Sequence, residues 1–335
     1  MTYLGIDISK STFVVAYPKE KGYTIRAFKN TPAGIHSFMH TLNKDEHHCI
    51  MEATGNYGVT LLYMLDKGGY RVSLINPLKT HNFAKTELSV TKTDAEDAKL
   101  LSRYGQEKQP SVYKMPTETI LILKQKRTVL RQLKKQHTML ANMQQSLDVL
   151  PVQDQLSKNA VKKVIISIEK QIRALEEDMT NITKKEYKYQ LELLTSIKGI
   201  NNKIASALIT ATGGFTYFDN AKQFSRYLGL CPTIIQSGSS VNVKGHINRN
   251  GDSYLRSQLF ISAMPTMRFN KACRELYERL RANGKSGKVA LIAVANKLIR
   301  QAFAVIKSGS PYIDGFVSQP PLLKPATKAI YTSSL

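Results

Sequence analysis

Four carboxylates in the first hundred residues have the types and spacing for metal-ion chemistry: Asp7, Glu52, Asp94 and Asp97. Asp7 interrupts the apolar run Tyr3-Leu-Gly-Ile-Asp-Ile8, and a carboxylate inside such a strand is costly unless it is paired or bound to a metal. Glu52 ends Cys49-Ile-Met-Glu52, just before Ala-Thr-Gly55, so it faces the C-terminal rim of its strand. Thr93-Asp-Ala-Glu-Asp97 reads as a helix start. Thr93 is its N-cap, Glu96 completes a capping box, and Asp94 and Asp97 share one face at i, i+3. Each acid alone has an ordinary explanation as a strand end or a charge favoured by a helix dipole. Together they suit a divalent cation such as Mg²⁺, which takes oxygen ligands and keeps waters for chemistry. On these residues alone the chemistry is phosphodiester cleavage with water as the nucleophile.

The elements that must position these acids emerge from the pattern of apolar residues. Residues 3–8, 12–17 and 23–28 are short β-prone runs separated by polar turns, which predicts an antiparallel meander. Thr31-Pro32 opens a helix, with Thr as N-cap and Pro at the first helical position. Strands at 48–52 and 71–75 then alternate with helical segments at 57–67 and up to residue 104. The expectation is a mixed sheet with helices on its faces.

From residue 117 to about 194 the strand signals vanish. Val161, Ile165, Ile168, Ile172, Leu175, Met179 and Ile182 step by threes and fours, as in a heptad seam. Leu123, Leu130, Leu133, Leu140 and Leu147 form a similar seam, interrupted by Lys126 and His137, and Pro151 separates the two. A long helical hairpin or coiled coil is expected, bridging domains or joining protomers, with a helical bundle inside one domain as the alternative. Residues 194–209 resemble a helix-hairpin-helix element, whose loop amides can take a phosphate, although a plain αα-hairpin reads the same. Residues 289–306 predict a largely buried helix, and a Pro-rich tail comes after Pro311. The predicted organisation is a catalytic domain at 1–112, a helical linker at 113–192, a mostly α-helical domain at 193–312 and a tail at 313–335.

Charge narrows the partner. Lys and Arg total 48 against 25 Asp and Glu, a net +23, which favours a polyanion, with nucleic acid ahead of an acidic membrane surface. Cys49, Cys231 and Cys273 lie far apart without CxxC spacing, which argues against disulfides or structural zinc and suits a reducing cytoplasm. The N-terminus enters a strand with no signal-peptide pattern, and no apolar run approaches the roughly 18 residues of a membrane span.

The motifs Gly5-Ile-Asp7-Ile-Ser-Lys10, Met51-Glu52-Ala-Thr-Gly55 and Lys92-Thr-Asp94-Ala-Glu-Asp97-Ala resemble those of the DEDD transposases of bacterial insertion sequences. The second half agrees: Tyr227-Leu-Gly-Leu-Cys-Pro232, Gln236-Ser-Gly238, and Gly245-His-Ile-Asn-Arg249-Asn-Gly251-Asp-Ser-Tyr254-Leu-Arg256 resemble the transposase domain that comes after a helical linker in that family. The resemblance spans roughly residues 3–310. It implies a RuvC-like (RNase H-like) N-terminal domain and a serine that forms a covalent link to DNA with the help of the metal site. It also implies an element-encoded non-coding RNA that pairs with donor and target DNA, and a homodimer or homotetramer in which one protomer's acids meet another's serine. Ser237 matches the family serine, with Ser239 and Ser240 beside it because the motif here is Gln236-Ser-Gly-Ser239 rather than Ser-Ser-Gly-Gly. Lys244, His246, Arg249 and Arg256 lie just beyond in a polar segment and are candidates for phosphate contacts. Two other functions remain consistent with the residues: a metal-dependent nuclease or junction resolvase that uses water, and a non-catalytic nucleic-acid-binding protein.

Overall fold

A computed structural model describes residues 1–53, 55–87, 93–237, 241–247 and 251–315, as backbone alone across 232–246. The chain divides into two compact units, 1–115 and 116–335.

The first unit begins with β1 (Thr2–Ile8), β2 (Thr12–Pro18) and β3 (Tyr23–Lys29), then α1 (Pro32–Met39). Thr31 caps α1 by accepting from the Gly34 amide, with Pro32 at the start of the helix. Next come β4 (His47–Glu52), a 3₁₀ turn at Asn56–Gly58, α2 (Val59–Lys67), β5 (Arg71–Ile75), α3 (Pro77–Thr86) and α4 (Asp94–Lys108). The sheet order is β3-β2-β1-β4-β5. β1 runs antiparallel to β2 and parallel to β4, and β5 is parallel to β4. The mixed sheet with helices on its faces is therefore present.

The pleat of β1 explains both faces. Leu4 and Ile6 are fully buried in a core with Ile35 and Phe38 of α1 and Leu61, Leu62 and Leu65 of α2. The alternate residues Tyr3, Gly5 and Asp7 must then point to the other face. There Ile50, Phe83, Leu100, Leu101 and Tyr104 form a second core with Tyr3 at its margin. α4 lies unusually close to that face. A Cβ on Gly5 would stand 1.9 Å from the Ala98 carbonyl oxygen and 2.4 Å from the Ser102 amide nitrogen. A Cβ on Gly105 would meet Ile50 and Tyr3 side-chain atoms at 2.7 and 2.8 Å. Ser102 Oγ completes the contact by donating to the Tyr3 carbonyl at 2.6 Å.

The second unit opens with α5 (Glu118–Asp148) and α6 (Gln155–Glu186). Lys126 pairs with Asp178 at 2.6 Å, His137 meets Glu169 at 3.0 Å and Lys158 pairs with Asp148 at 2.6 Å. This falling order of partners makes the two helices an antiparallel hairpin. The two residues that interrupt the α5 seam are thus matched by acids of α6. The base of the hairpin is continuous with the helices after it: Ile120, Leu123, Leu130 and Met179 share one core with Ile204, Leu208, Leu259, Val294 and Leu298.

That core is completed by α7 (Lys188–Thr195), α8 (Asn202–Thr212), α9 (Ala221–Tyr227), α10 (Ser253–Phe269), α11 (Lys271–Ala282) and α12 (Gly287–Ser308). The chain at 194–209 does form an αα-hairpin, but every residue of α8 from Ile204 to Thr212 is buried. A Cβ on Gly199 would fall 1.8 Å from Thr266 Oγ1. The turn is anchored at Gly199 and Ile200, while Lys198, Asn201, Asn202 and Lys203 are exposed. By length and composition α12 could cross a membrane, against the expectation that no run is apolar enough. Its apolar content is accounted for by packing, since Ala290, Val294, Ala295, Leu298, Ile299, Ala302 and Val305 are buried against the unit's other helices.

One element has no counterpart among the predicted ones. β6 (Pro232–Ser237) and β7 (Val241–Ile247) form a two-stranded antiparallel sheet between α9 and α10.

The close contact of β1 with α4 is testable. Gly5→Ala places a methyl group against backbone that cannot rotate away, so unfolding should become easier by about 3 kcal/mol in urea titration. Gly287→Ala, where the new Cβ meets only Tyr277 Oη at 3.5 Å, should change little. Equal midpoints for the two variants would remove the packing argument.

Candidate active site

Strand register brings Asp7 and Glu52 together. β1 and β4 are parallel, with Gly5 beside Ile50 and Ile6 beside Met51. Asp7 and Glu52 are the next residues along, at the C-terminal rim. Both lie on the α3–α4 face by the same alternation that points Gly5 and Ile50 there. α4 then carries its acids to this rim. Ala98 and Ser102 sit over Gly5, so Asp97, just before Ala98, and Asp94, one turn before it, come to the level of Asp7 at the end of β1. Thr93 starts the helix, its Oγ1 accepting from the Glu96 amide at 3.2 Å. The reciprocal half of the expected capping box differs. The Glu96 carboxylate takes Lys99 Nζ at 2.7 Å instead, because an i, i+3 cation offers a stronger bond than a neutral amide.

The electrostatics register the cluster. The Asp7 carboxyl is pushed up to about 6 by burial first, then by the negative charges of Asp97 and Asp94, with a smaller push from Glu52. A hydrogen bond from the Ile8 amide offsets only part of this. The other three predicted acids therefore all act on Asp7. Among the described residues, no group of three or more His, Cys, Asp or Glu side chains is arranged to hold an ion in this conformation. The donor set nevertheless fits a hard divalent cation, since it is all carboxylate and its charges repel one another at Asp7.

Thr80 is the participant that the sequence does not announce. It is 3% exposed, and its hydroxyl donates a hydrogen bond to Glu52 Oε2. The available signal is α3 itself: Asn76 caps it, Pro77 begins it, and Thr80 and Phe83 form its inward stripe.

The second-unit candidates are less gathered. Ser237 is the last residue of β6, paired in register with Val241, and Lys244 and His246 stand two residues apart in β7. Ser239, Ser240 and Arg249 lie outside the described residues. Arg256 is in the first turn of α10, and its Nη1 donates to the Leu228 carbonyl at 2.7 Å. Asp252 caps that helix through the Leu255 amide and also accepts from Arg127 of α5, both side chains being mostly buried.

The raised Asp7 value sets a pH dependence for the metal-free protein. Its folded value lies above the usual carboxylate range, so between about pH 4 and 6 the native state holds the extra proton. Stability contributed by this group is greatest at the acid end and falls as pH rises through about 6. Asp7→Asn should therefore stabilise the chelator-treated protein at pH 7.5, on the order of 1 kcal/mol for a half-exposed group. The gap should narrow to about half by pH 5 and close near pH 4 in thermal melts. A gap that does not vary with pH would contradict the coupling.

Comparison with known proteins agrees with this geometry. Residues 4–150 match the transposase family model for the DEDD domain of IS110 elements, and residues 191–278 match the model of the transposase IS116/IS110/IS902 family. The chain is similar to the pilin gene-inverting proteins of Moraxella bovis and Moraxella lacunata, each 32% identical over 93% of this chain and 97% of the relative. It is also 35% identical, over 36% of its length and 29% of the relative, to an uncharacterized 43.6 kDa protein of insertion element IS110 from Streptomyces coelicolor. With both halves matched and full-length relatives that invert a gene, the chain belongs to the IS116/IS110/IS902 family of transposases and is an enzyme of DNA recombination.

Proposed function

We propose that the protein is a site-specific recombinase that excises and inserts its own insertion sequence through a phosphoserine intermediate on Ser237. The observation that carries this is the coupling of Asp7 with Asp97, Asp94 and Glu52 at one end of β1. Mg²⁺ held by these four carboxylates would neutralise charge at the scissile phosphate and ease loss of the proton from the attacking hydroxyl. Attack by Ser237 Oγ forms a serine–phosphorus ester as the bond to the leaving sugar oxygen breaks, and attack by the other partner's sugar hydroxyl reverses the step. Energy of the phosphodiester is thereby kept for rejoining.

Rejoining separates this function from simple hydrolysis. Relatives named for inverting a pilin gene match almost the whole chain, and inversion requires every cut end to be resealed. Water as nucleophile discards the ester energy, whereas a covalent enzyme link conserves it. The fold of the first unit, a mixed sheet with acids at its rim, suits an RNase H-like catalytic domain over 1–112. The α5–α6 hairpin suits a coiled-coil linker over 113–192, and the rest forms the transposase domain over 193–312. Lys244, His246, Arg249 and Arg256 would hold phosphates near the serine, while an element-encoded RNA selects the donor and target DNA. The net +23 accommodates both nucleic acids, and a homo-oligomer would supply enough active centres for two DNA partners.

Denaturing gels of end-labelled element DNA, incubated with the full-length protein and transcribed flanking RNA, test the mechanism. Wild type should give a protein–DNA adduct and joined product. Ser237→Ala should lose both by about 10³-fold or more, and Asp7→Asn should lose cutting altogether. Normal cutting by Ser237→Ala, with no adduct in wild type, would replace the recombinase by a hydrolytic nuclease.

A further inference from the structure

We infer that Thr80 is a positioning residue for Glu52, fixing the carboxylate orientation that a divalent cation needs at the rim of the sheet. The inference rests on the proposed role of Glu52 as a metal ligand.

Glu52 ends β4, and the ladder continues one step past it through the Ala53 amide to the Ile75 carbonyl at 2.9 Å. Its backbone is thus held, but its side chain has three rotatable bonds and a like-charged neighbour in Asp7, which the parallel register of β1 and β4 sets beside it. Repulsion alone would turn the Glu52 carboxylate away from the other acids. Thr80 opposes this. It sits in the first half of α3, buried, with its hydroxyl on Glu52 Oε2. The Pro77 carbonyl is also within 2.9 Å of the same hydroxyl. One hydroxyl has one proton, and the charged acceptor makes the stronger bond.

α3 is itself fixed, so the hydroxyl is a stationary donor. Asn76 Oδ1 accepts from the Leu78 amide at 2.9 Å, Pro77 sets the first helical φ, and Phe83 one turn on packs edge-to-face on Tyr104 of α4 with centroids 5.2 Å apart. The same helix pair therefore carries the acids Asp94 and Asp97 and the donor that orients Glu52. A bond from a fixed hydroxyl to one carboxylate oxygen sets the plane in which the carboxylate presents itself, the usual relation between a metal ligand and the group behind it.

Calorimetric titration of Mg²⁺ and Mn²⁺ into the full-length protein, without DNA, tests this apart from activity. Thr80→Val keeps the shape and removes the donor, and should weaken divalent-ion binding by about 10- to 100-fold. Thr80→Ser keeps the donor and should bind within about threefold of wild type. Thr80→Cys, close in size but a far weaker donor, gives the same comparison should the valine variant not fold. Glu52→Gln serves as the reference. If it loses binding while Thr80→Val retains wild-type affinity, Thr80 is structural only and the inference is overturned. If Glu52→Gln also binds as wild type does, the role of Glu52 as a ligand falls as well.

Discussion

The approach of α4 to β1 is the constraint on which the rest of the first unit depends. A helix normally stands off a sheet by the thickness of its side chains. Here Gly5 lets the backbone of α4 at Ala98 and Ser102 rest on the backbone of the strand, and Gly105 makes room for the Tyr3 and Ile50 side chains. The consequence is felt at the far end of the helix. Asp94 and Asp97 continue the stripe that contains Ala98 and Ser102, so lowering α4 onto Gly5 lowers the two acids onto the level of Asp7. Parallel pairing of β1 with β4 supplies Glu52 independently. Two separate geometrical facts, a register and a helix height, thus converge on one rim.

Such convergence has a cost, and it falls on Asp7. In a chain of net charge +23, cations are abundant, yet the forces on Asp7 are burial and other carboxylates, with only the Ile8 amide opposing them. In the helical unit, cations satisfy acids in pairs. Glu176 takes both Lys134 and Lys203, at 2.5 and 2.6 Å; burial would raise its carboxyl, and these bonds hold it below the usual range. Glu176 is neutralised by its own chain, whereas Asp7 is crowded by like charge at the sheet rim, which is the electrostatic condition that the proposed cation would relieve.

Much of this was legible in sequence because it depends on local periodicity. The strands of the first unit, the Thr31 and Thr93 caps and the burial of α12 all come from alternation, capping residues and apolar spacing. The grouping of Asp7, Glu52, Asp94 and Asp97 was legible because Asp7 interrupts an apolar strand, Glu52 ends another, and Asp94 and Asp97 share one face of a helical turn. What escaped depends on contacts distant in sequence. Thr80 looks like any helical threonine until β4 brings Glu52 beneath it. The β6–β7 pair was hidden because Pro232-Thr-Ile-Ile-Gln-Ser237 is short and the residues after it are Gly and Ser, which read as loop. Gly5 reads in sequence as part of a motif, while its real demand is for space beneath α4.

Family matches and packing divide the chain at different places. The first match runs to residue 150, the end of α5, whereas the compact units part at residue 115. α5 therefore goes with the acids by sequence and with the helical core by packing, through Ile120, Leu123 and Leu130. Neither match covers 151–190, which is α6 almost alone. A helix like α6 must supply an apolar seam and acids opposite Lys126, Lys134 and His137, and many sequences satisfy that pattern equally well. α5 must satisfy the same seam and also place Arg127 on Asp252, the residue that caps α10. α5 is thus the arm of the hairpin that carries a mostly buried ion pair to the helical core in addition to its seam.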